Sequence, residues 1–311
     1  MVKDNYPSIN GSLIFIMISV RPDICMPVGR LSRAMHNPSK RDAVMCVDVL
    51  SYVKRTRRMK LVYRRSGNAI EQVYKQLAKT NNQLFSLATN DKKALMPLGG
   101  FSDSNHAPAC DPEFRSTSGY TMFVLFCLVS WKSKLQSITA QSTHEAELIA
   151  LTLAANEAVW IRDLLITLGF TLIGHTVVRP KGSETCIELD ARKPPEDTSP
   201  ADDMVEEFVS GDHDAALPKD DAKYTMPPIP LGNDNASANF AATNPTTTFR
   251  NRWIATRYYS VRNHVRNLYL LPTPVPTSLN VADLFTKAIP EFSTFDKHRR
   301  ACGLIDYEDG A

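Results

Sequence analysis

Residues 139–170 read TAQSTHEAELIALTLAANEAVWIRDLLITLGF. The apolar residues of this stretch recur at the spacing of one long amphipathic helix. Either Ser142 or Thr143 can supply its N-cap, and Gly169 is a natural end, so we predict a helix over 142–168.

Glu147 is the unusual residue of this helix. It lies in the register in which Leu148, Leu151 and Val159 would otherwise form a plain packing face. An acidic side chain in the first turns of a helix can simply favour the helix dipole. It can also be a functional carboxylate, and the positions of the other acids bear on that choice.

The composition limits the class of protein. The 311 residues are 43% hydrophobic, which is enough to build the core of one or two domains. The six cysteines show no CxxC and no metal-type spacing, which indicates reduced thiols in an intracellular protein. The apolar run 13–20, LIFIMISV, is too short to span a bilayer and is predicted to be a buried core segment. No membrane partner is expected.

The net charge of +3 conceals a strong asymmetry. Residues 184–221 contain thirteen acidic residues and three basic ones, with several prolines, so this tract is predicted to be disordered and exposed. The remaining chain holds 33 basic and 20 acidic residues, a formal charge of +13. A chain that is basic outside one acidic tract suggests a polyanionic partner, although a solvated surface gives the same counts.

Composition divides the chain into three parts. Residues 1–65 contain a segment with Val44, Val47, Leu50 and Val53 at helical spacing, followed by a basic run. Residues 66–97 are polar and are predicted to be a linker. Residues 98–304 are predicted to form one domain, interrupted by the acidic insertion at about 176–224.

Within that domain, further elements follow from local patterns. The segment 119–134 is rich in β-formers and long enough for two strands. A helix is predicted from Ala236, a basic helix over 250–266, and a final helix that opens at Asp283. Trp131 and Trp160 are predicted to be core residues.

Four carboxylates lie at the ends of apolar elements: Asp103, Glu147, Asp234 and Asp283. Carboxylate oxygens suit Mg²⁺, and two such ions roughly 4 Å apart can act on the attacking and leaving oxygens of a phosphodiester. A chain with 33 acidic residues offers many such sets, so spacing alone does not select this one.

Several collinear stretches resemble the end of a copia-type retrotransposon Pol polyprotein, in which the last part of reverse transcriptase precedes a ribonuclease H domain. They are GSLIFIMISVRPDICMPVGRLSRAMHNP (11–38), MKLVYRRSGN (59–68), RSTSGY (115–120), VSWKSKLQ (129–136), STHEAELIAL (142–151), DNASA (234–238) with NP (244–245), and VPTSLNVADLFTK (275–287). They occur in the family's order and cover most of the chain except roughly 66–97 and 175–230.

The resemblance implies a ribonuclease H-like α/β fold. It would have a mixed five-stranded sheet with flanking helices, preceded by a helical thumb or connection remnant of reverse transcriptase at 1–65. Asp103, Glu147, Asp234 and Asp283 align, in that order, with the family's four catalytic acids. By resemblance, two Mg²⁺ or Mn²⁺ ions are expected: Asp103 would bridge both, Glu147 and Asp234 would complete one, and Asp283 the other.

A rival for the third acid is Asp190, in CIELD (186–190), which lacks the Asn that follows Asp234. The implied activity is endonucleolytic hydrolysis of RNA in RNA–DNA hybrids, as part of a retrotransposon polyprotein. The partners would be the hybrid and the remainder of a reverse transcriptase, in a cytoplasmic particle or the nucleus. The alternative is a catalytically decayed, nucleic-acid-binding remnant of the same element.

The chain contains no YxDD-like polymerase motif, so no polymerase activity is expected. Basic side chains are the candidates for sequence-independent contacts to phosphate. These candidates are Arg250, Arg252, Arg257, Arg262, Lys132 and Lys134.

Two features depart from the family's pattern. Residues 125–128 must form a turn without Gly or Asn, the residues that tight hairpin turns favour. The strand before Asp234 and the segment 271–276 both contain prolines, and each proline removes a donor from a strand ladder. Both features are expected to weaken the sheet that positions Asp103 and Asp234.

Overall fold

The protein is an α/β structure with a five-stranded mixed sheet, as seen in a computed structural model. The structure describes residues 5–63, 98–108, 114–168, 228–244, 256–267 and 269–306. Several predictions fall outside the described residues. They concern the linker 66–97, the acidic tract 184–221, Asp190, Arg250 and Arg252. Predictions for those segments remain predictions.

The described chain begins with helices, which are followed by strands and then by a mixture of helices and strands. The α-helices are α1 (Tyr6–Ser19), α2 (Cys25–Arg33), α3 (Lys40–Arg55), α4 (Thr143–Thr167), α5 (Ala236–Thr243), α6 (Ser260–Arg266) and α7 (Phe292–Ala301). The strands are β1 (Lys60–Leu61), β2 (Leu98–Asn105), β3 (Thr117–Val124), β4 (Cys127–Leu135), β5 (Ile229–Asn233), β6 (Leu270–Pro274) and β7 (Leu304–Ile305). Short 3₁₀ helices occupy Pro22–Ile24, Thr256–Tyr259, Thr277–Leu279 and Val281–Phe285.

The main sheet has the strand order β4-β3-β2-β5-β6. The pairs β2–β3 and β3–β4 are antiparallel, whereas β2–β5 and β5–β6 are parallel. Because β2 and β5 are parallel neighbours, their carboxyl ends lie at the same edge of the sheet. That edge brings Asp103, near the end of β2, towards Asp234, which directly follows β5.

A hydrophobic core lies on each face of the sheet. On one face, α4, α5 and α6 cover a core that includes Met122, Leu148 and Leu231. On the other face, a second core contains Phe101, Phe123, Phe285 and Cys302. The sheet is therefore the middle of three layers, which is a stable arrangement for a mixed sheet.

The N-terminal helices pack against this second face. The indole Nε1 of Trp131 on β4 donates to the carbonyl of Met17 at 3.1 Å, and β1 pairs with β7 in a separate two-stranded sheet. Trp160, in contrast, is 59% exposed on α4, so the prediction that it is a core residue was wrong. It lies on the side of α4 that faces away from the sheet.

The helix α3 forms where the helical spacing of its apolar residues indicated. In α3 the buried side chains are Cys46 and Val49, whereas Val44, Val47 and Leu50 are exposed. A helix buries only the stripe that meets its neighbours, and α3 meets α1 and α2 through the other stripe.

The apolar run 13–20 was predicted to be a buried core segment, and this was wrong for most of it. Leu13 is buried, but Phe15 and Ile18 are 70% and 61% exposed. The run is a helix rather than a strand or an all-round buried segment, so only one of its sides packs on α2 and α3. In the described part of the chain, no helix is long and apolar enough to cross a bilayer.

The predicted pair of strands in 119–134 is confirmed as β3 and β4, joined by Leu125 and Phe126. Both turn residues have positive φ, at 50° and 66°. A two-residue hairpin turn needs this backbone, because its twist matches that of the strands, but side chains make it unfavourable. The side chain of Phe126 offsets part of this unfavourable backbone energy, because it packs against the second core.

This turn gives a first prediction. Leu125→Asn should raise the free energy of unfolding by about 0.5–1 kcal/mol, because Asn tolerates positive φ better than Leu. Urea unfolding of the two proteins measures the difference. Leu125→Ala is the control, since it shortens the half-exposed side chain without relieving the backbone. An equal gain from Ala would show that the backbone strain is not the cause.

The prolines do not interrupt the paired part of the sheet. Amide groups alternate in direction along a strand, and Val275 N donates to Asn233 O at 3.2 Å. The missing amides of Pro272 and Pro274 therefore point away from β5, at the outer edge of β6. Pro230 lies one residue before the pairing of β5 with β2 begins at Leu231. Within the described residues no established ladder bond falls on these three prolines, and the expected weakening of the sheet remains a prediction.

Candidate active site

Two acids in the first turns of α4, Glu145 and Glu147, have different roles. Ser142 Oγ accepts from the amide of Glu145 at 3.1 Å, and the Glu145 carboxylate accepts from the amide of Gln141 at 2.8 Å. Glu145 therefore fulfils the capping role at the helix N-terminus. Glu147 lies in the next turn, is 7% exposed, and faces the other acids rather than the helix amides.

Three of the four predicted acids converge. Asp103, Glu147 and Asp234 each offer one carboxylate oxygen, and these oxygens lie within 4.8 Å of one another. They come from β2, α4 and the residue after β5, and the carboxylates of Asp103 and Glu147 are almost completely buried. We refer to these three residues as the carboxylate triad. Among the described residues, no single cation or amide group contacts all three carboxylates. The set therefore has the character of a cation site.

Two asparagines position the triad. Asn233 Nδ2 lies 3.1 Å from Glu147 Oε2 and also donates to the carbonyl of Ser102 at 3.3 Å. Asn280 Nδ2 donates to the same carbonyl at 3.0 Å and lies 3.4 Å from Asp234 Oδ1. Both are fully buried, so they connect β2, β5 and the following segment rigidly.

Asp283 lies beside the triad and is held differently. It was predicted to open the final helix, but it lies within the 3₁₀ helix Val281–Phe285, and α7 begins only at Phe292. Asn280 caps this 3₁₀ helix, because its Oδ1 accepts from the amide of Ala282 at 3.2 Å. The ammonium of Lys287 lies 2.9 Å from Asp283 Oδ1 and 3.9 Å from Asp103 Oδ2. Thr286 Oγ1 also donates to the carboxylate of Asp103.

Gly119 allows this segment to approach the sheet. It is the direct partner of Asp103 in the β2–β3 ladder. A Cβ at this position would lie 2.7 Å from Thr286 Cγ2, 2.9 Å from Phe285 Cβ and 3.1 Å from the carbonyl of Ala282. Only a glycine leaves room for the chain that carries Asp283.

Burial and mutual repulsion perturb the acids. Burial, followed by the charges of Asp283 and Glu147, raises the pKa of Asp103 to about 8. Burial also raises the pKa of Glu147 to about 7, against the hydrogen bond from Asn233. The pKa of Asp283 is raised by burial, although Lys287 opposes the shift. Without a bound cation, the site therefore holds protons near neutral pH.

These shifts give a second prediction. Raised carboxyl pKa values mean that the folded chain binds more protons than the unfolded chain up to about pH 8, so stability falls as pH rises. We expect a loss of about 2 kcal/mol between pH 6.5 and 8.5 without metal, or roughly 4–8 °C in Tm. Thermal unfolding in a chelator measures it. Asp103→Asn should flatten the slope, and an unchanged slope in that variant would contradict the assignment.

The predicted phosphate contacts are placed unevenly. Lys132 and Lys134 are exposed on the edge strand β4. Lys134 also lines an open cavity of about 180 Å³ between β4 and α4. Arg262 is partly buried: its Nε donates to the carbonyl of Ala241 at 2.7 Å, and its guanidinium lies 3.8 Å from the Tyr259 ring centroid. Of Arg257 only the backbone is described. Their roles in binding remain predictions.

The donor set fits Mg²⁺ or Mn²⁺, since carboxylate oxygens from separate elements are the ligands these ions prefer. Asp103, Glu147 and Asp234 would hold such an ion. Sequence reasoning missed Asn233, Asn280, Thr286 and Lys287. Each lies within four residues of a predicted acid, and that proximity was the available signal.

Comparison with known proteins relates the sequence of this chain to transposon polyproteins. The chain is 25% identical to the retrovirus-related Pol polyprotein from transposon RE2 of Arabidopsis thaliana, over 96% of this chain and 15% of that protein. It is 30% identical to that from transposon TNT 1-94 of Nicotiana tabacum, over 54% of this chain and 10% of that protein. The chain therefore spans only a small part of these polyproteins.

A shorter relative is the Secreted RxLR effector protein 161 of Plasmopara viticola, 31% identical over half of this chain and 90% of that protein. That name describes the Plasmopara protein alone. No family model and no solved structure matches the chain. The match to a Pol polyprotein over nearly the whole chain agrees with the family stretches found in the sequence. The chain is therefore similar to retrovirus-related Pol polyproteins of plant transposons, which is consistent with a fragment of a copia-type Pol polyprotein.

Proposed function

We propose that this chain is a ribonuclease H-type endonuclease, which hydrolyses the RNA strand of RNA–DNA hybrids as part of a retrotransposon polyprotein. One observation carries the proposal. The carboxylates of Asp103, Glu147 and Asp234, which come from three separate elements, lie within 4.8 Å of one another at the carboxyl edge of two parallel strands.

The chemistry follows from what surrounds these acids. A bound Mg²⁺ or Mn²⁺ would activate water and neutralise the charge that develops on a phosphodiester. The chain contributes rigid positioning: Asn233 and Asn280 fix the triad, and the buried setting strengthens every charge interaction within it. Such preorganised acids are suited to metal-assisted hydrolysis and poorly suited to binding a phosphate by themselves.

Attraction to nucleic acid has to come from other residues. Outside the acidic tract the chain is strongly basic. Lys132 and Lys134 are exposed on the edge strand β4, which pairs with β3, and β3 in turn lies beside the strand of Asp103. Basic side chains of this kind give salt-sensitive affinity that is independent of sequence. The assignment to a hybrid, rather than another duplex, rests on the resemblance to the end of a copia-type Pol polyprotein, which the similarity to the transposon Pol polyproteins supports.

The test uses the purified full chain and four labelled substrates of one sequence: the RNA–DNA hybrid, the RNA duplex, the DNA duplex and single-stranded RNA. With Mg²⁺ or Mn²⁺ we expect cleavage of the RNA strand of the hybrid, and loss of cleavage in a chelator. Asp163→Asn, an exposed substitution on α4, is the matched control and should cleave as the natural chain does.

Binding of the hybrid without cleavage under any of these conditions would contradict the proposal. It would favour the alternative, a nucleic-acid-binding remnant that retains the fold but not the chemistry. Cleavage of single-stranded RNA at the same rate would indicate a different nuclease or a contaminant.

A further inference from the structure

The position of Lys287 is unusual for a site built to hold two metal ions. Its ammonium lies between two acids, 2.9 Å from Asp283 Oδ1 and 3.9 Å from Asp103 Oδ2. In a two-ion arrangement, Asp103 would bridge both ions and Asp283 would bind the second one. The ammonium therefore already occupies the space between the two carboxylates that a second ion would have to share.

The backbone conformation after Asp283 directs the side chain of Lys287 to this position. The amide of Lys287 donates to the carbonyl of Asp283 at 3.2 Å, so the side chain starts one turn after the acid and points back towards it. Thr286, the preceding residue, hydrogen-bonds to Asp103 through its hydroxyl. Asp283 belongs to the 3₁₀ helix Val281–Phe285, and Asp103 is hydrogen-bonded to the residue directly after it. Both carboxylates beside the ammonium are thus connected to the same short segment.

The two carboxylates that Lys287 contacts are buried, with side chains 3% and 7% exposed, whereas its own side chain is 39% exposed. Buried carboxylates need a compensating positive charge, and one partner here is supplied by the chain. In agreement with this, the charge of Lys287 opposes the rise in pKa of both Asp103 and Asp283.

We propose that Lys287 stands in for the second metal ion, so that the site takes a single Mg²⁺ or Mn²⁺ at Asp103, Glu147 and Asp234. Asp283 then acts as the anchor of Lys287 and not as a metal ligand. Lys287 is a positioning residue: it holds Asp103 and Asp283 together and supplies fixed positive charge beside the triad. This inference rests on the proposed function, and it differs from the two ions that the family resemblance implies.

The direct test is the number of ions per chain. Mn²⁺ binding to the full chain is measured by calorimetry and by electron paramagnetic resonance. The acidic tract 184–221 also attracts Mn²⁺, so the count at the site is the number of ions lost on Asp103→Asn. We expect one ion in the natural chain. Two ions lost, with Lys287 unchanged, would overturn the inference.

Variants of Lys287 test its role. Lys287→Met removes the charge at similar length, and we expect Mn²⁺ to bind at least about tenfold more tightly, with a second ion at the site. Its metal-free Tm should fall and be recovered by Mn²⁺. Lys287→Arg should retain one ion. Lys297→Met is the control, because the Nζ of Lys297 donates to the carbonyl of Ser278 at 2.9 Å on the surface, and this variant should behave as the natural chain.

The outcomes separate the two proposals. One ion in the natural chain without hybrid cleavage supports the role of Lys287 and rejects the nuclease. Hybrid cleavage with two ions at the site supports the nuclease and rejects the role of Lys287. If Lys287→Met binds Mn²⁺ with unchanged affinity and number, Lys287 has no part in the cation balance of the site. Should that variant not fold, the ion count of the natural chain alone decides.

Discussion

Asp103→Asn is expected to reduce cleavage of an RNA–DNA hybrid at least about 10²–10³-fold, the scale on which loss of one preorganised charged group acts. The amide keeps the shape of the carboxylate, so the fold and the hydrogen bond with Thr286 can be retained. Hybrid affinity should stay within about threefold, because basic side chains supply the attraction to phosphate. Initial rates and fluorescence anisotropy with one labelled hybrid give both quantities.

The controls for this variant are specific. Asp163→Asn removes an acidic charge from the surface of α4 and should leave the rate unchanged. Without metal, Asp103→Asn should bind the hybrid slightly more tightly than the natural chain, since one negative charge near the substrate is gone. Equal cleavage by Asp103→Asn and the natural chain would show that the site is misassigned or that the activity belongs to a contaminant.

Gly119→Ala should lower the free energy of unfolding by about 2–3 kcal/mol, as overpacking of a tight contact does. The new Cβ would meet Thr286 Cγ2, Phe285 Cβ and the carbonyl of Ala282, all within 3.1 Å. Part of that contact is backbone, so the segment carrying Asp283 must move away from the sheet. Urea unfolding measures the loss, and hybrid cleavage should fall with it.

Gly11→Ala is the matched control for this prediction. Gly11 lies in α1, and a Cβ there would meet nothing within 4 Å. Because alanine favours a helix over glycine, this change should be neutral or stabilising by up to about 1 kcal/mol. If Gly119→Ala unfolds at the same urea concentration as the natural chain, the segment yields freely and the contact does not constrain the site.

The sequence predicted those features that depend on local pattern. The helix α4, the β3–β4 hairpin and the helix from Ala236 follow from spacing, capping residues and β-formers. The convergence of three of the acids was also predicted, because each lies at the end of an apolar element and the family resemblance supplied the order. Their catalytic roles remain predictions.

What the sequence could not provide depends on contacts between distant segments. Lys287 reads as an ordinary basic residue until the β2 strand, some 180 positions earlier, is placed beside it. The same holds for Gly119, whose neighbours come from the end of the chain. The exposed stripe of α3 could not be predicted for the same reason, since apolar spacing identifies a helix but not which of its sides meets a neighbour.

The prolines of β6 have a consequence beyond the pairing of β6 with β5. An edge strand with free amides offers a template on which a second chain can form further sheet, and this is a route to aggregation. With Pro272 and Pro274 facing outwards, β6 presents no donor at those two positions. The opposite edge, β4, carries the exposed charges of Lys132 and Lys134, which discourage stacking of like strands. Both margins of the sheet are thus protected against growth from one molecule to the next.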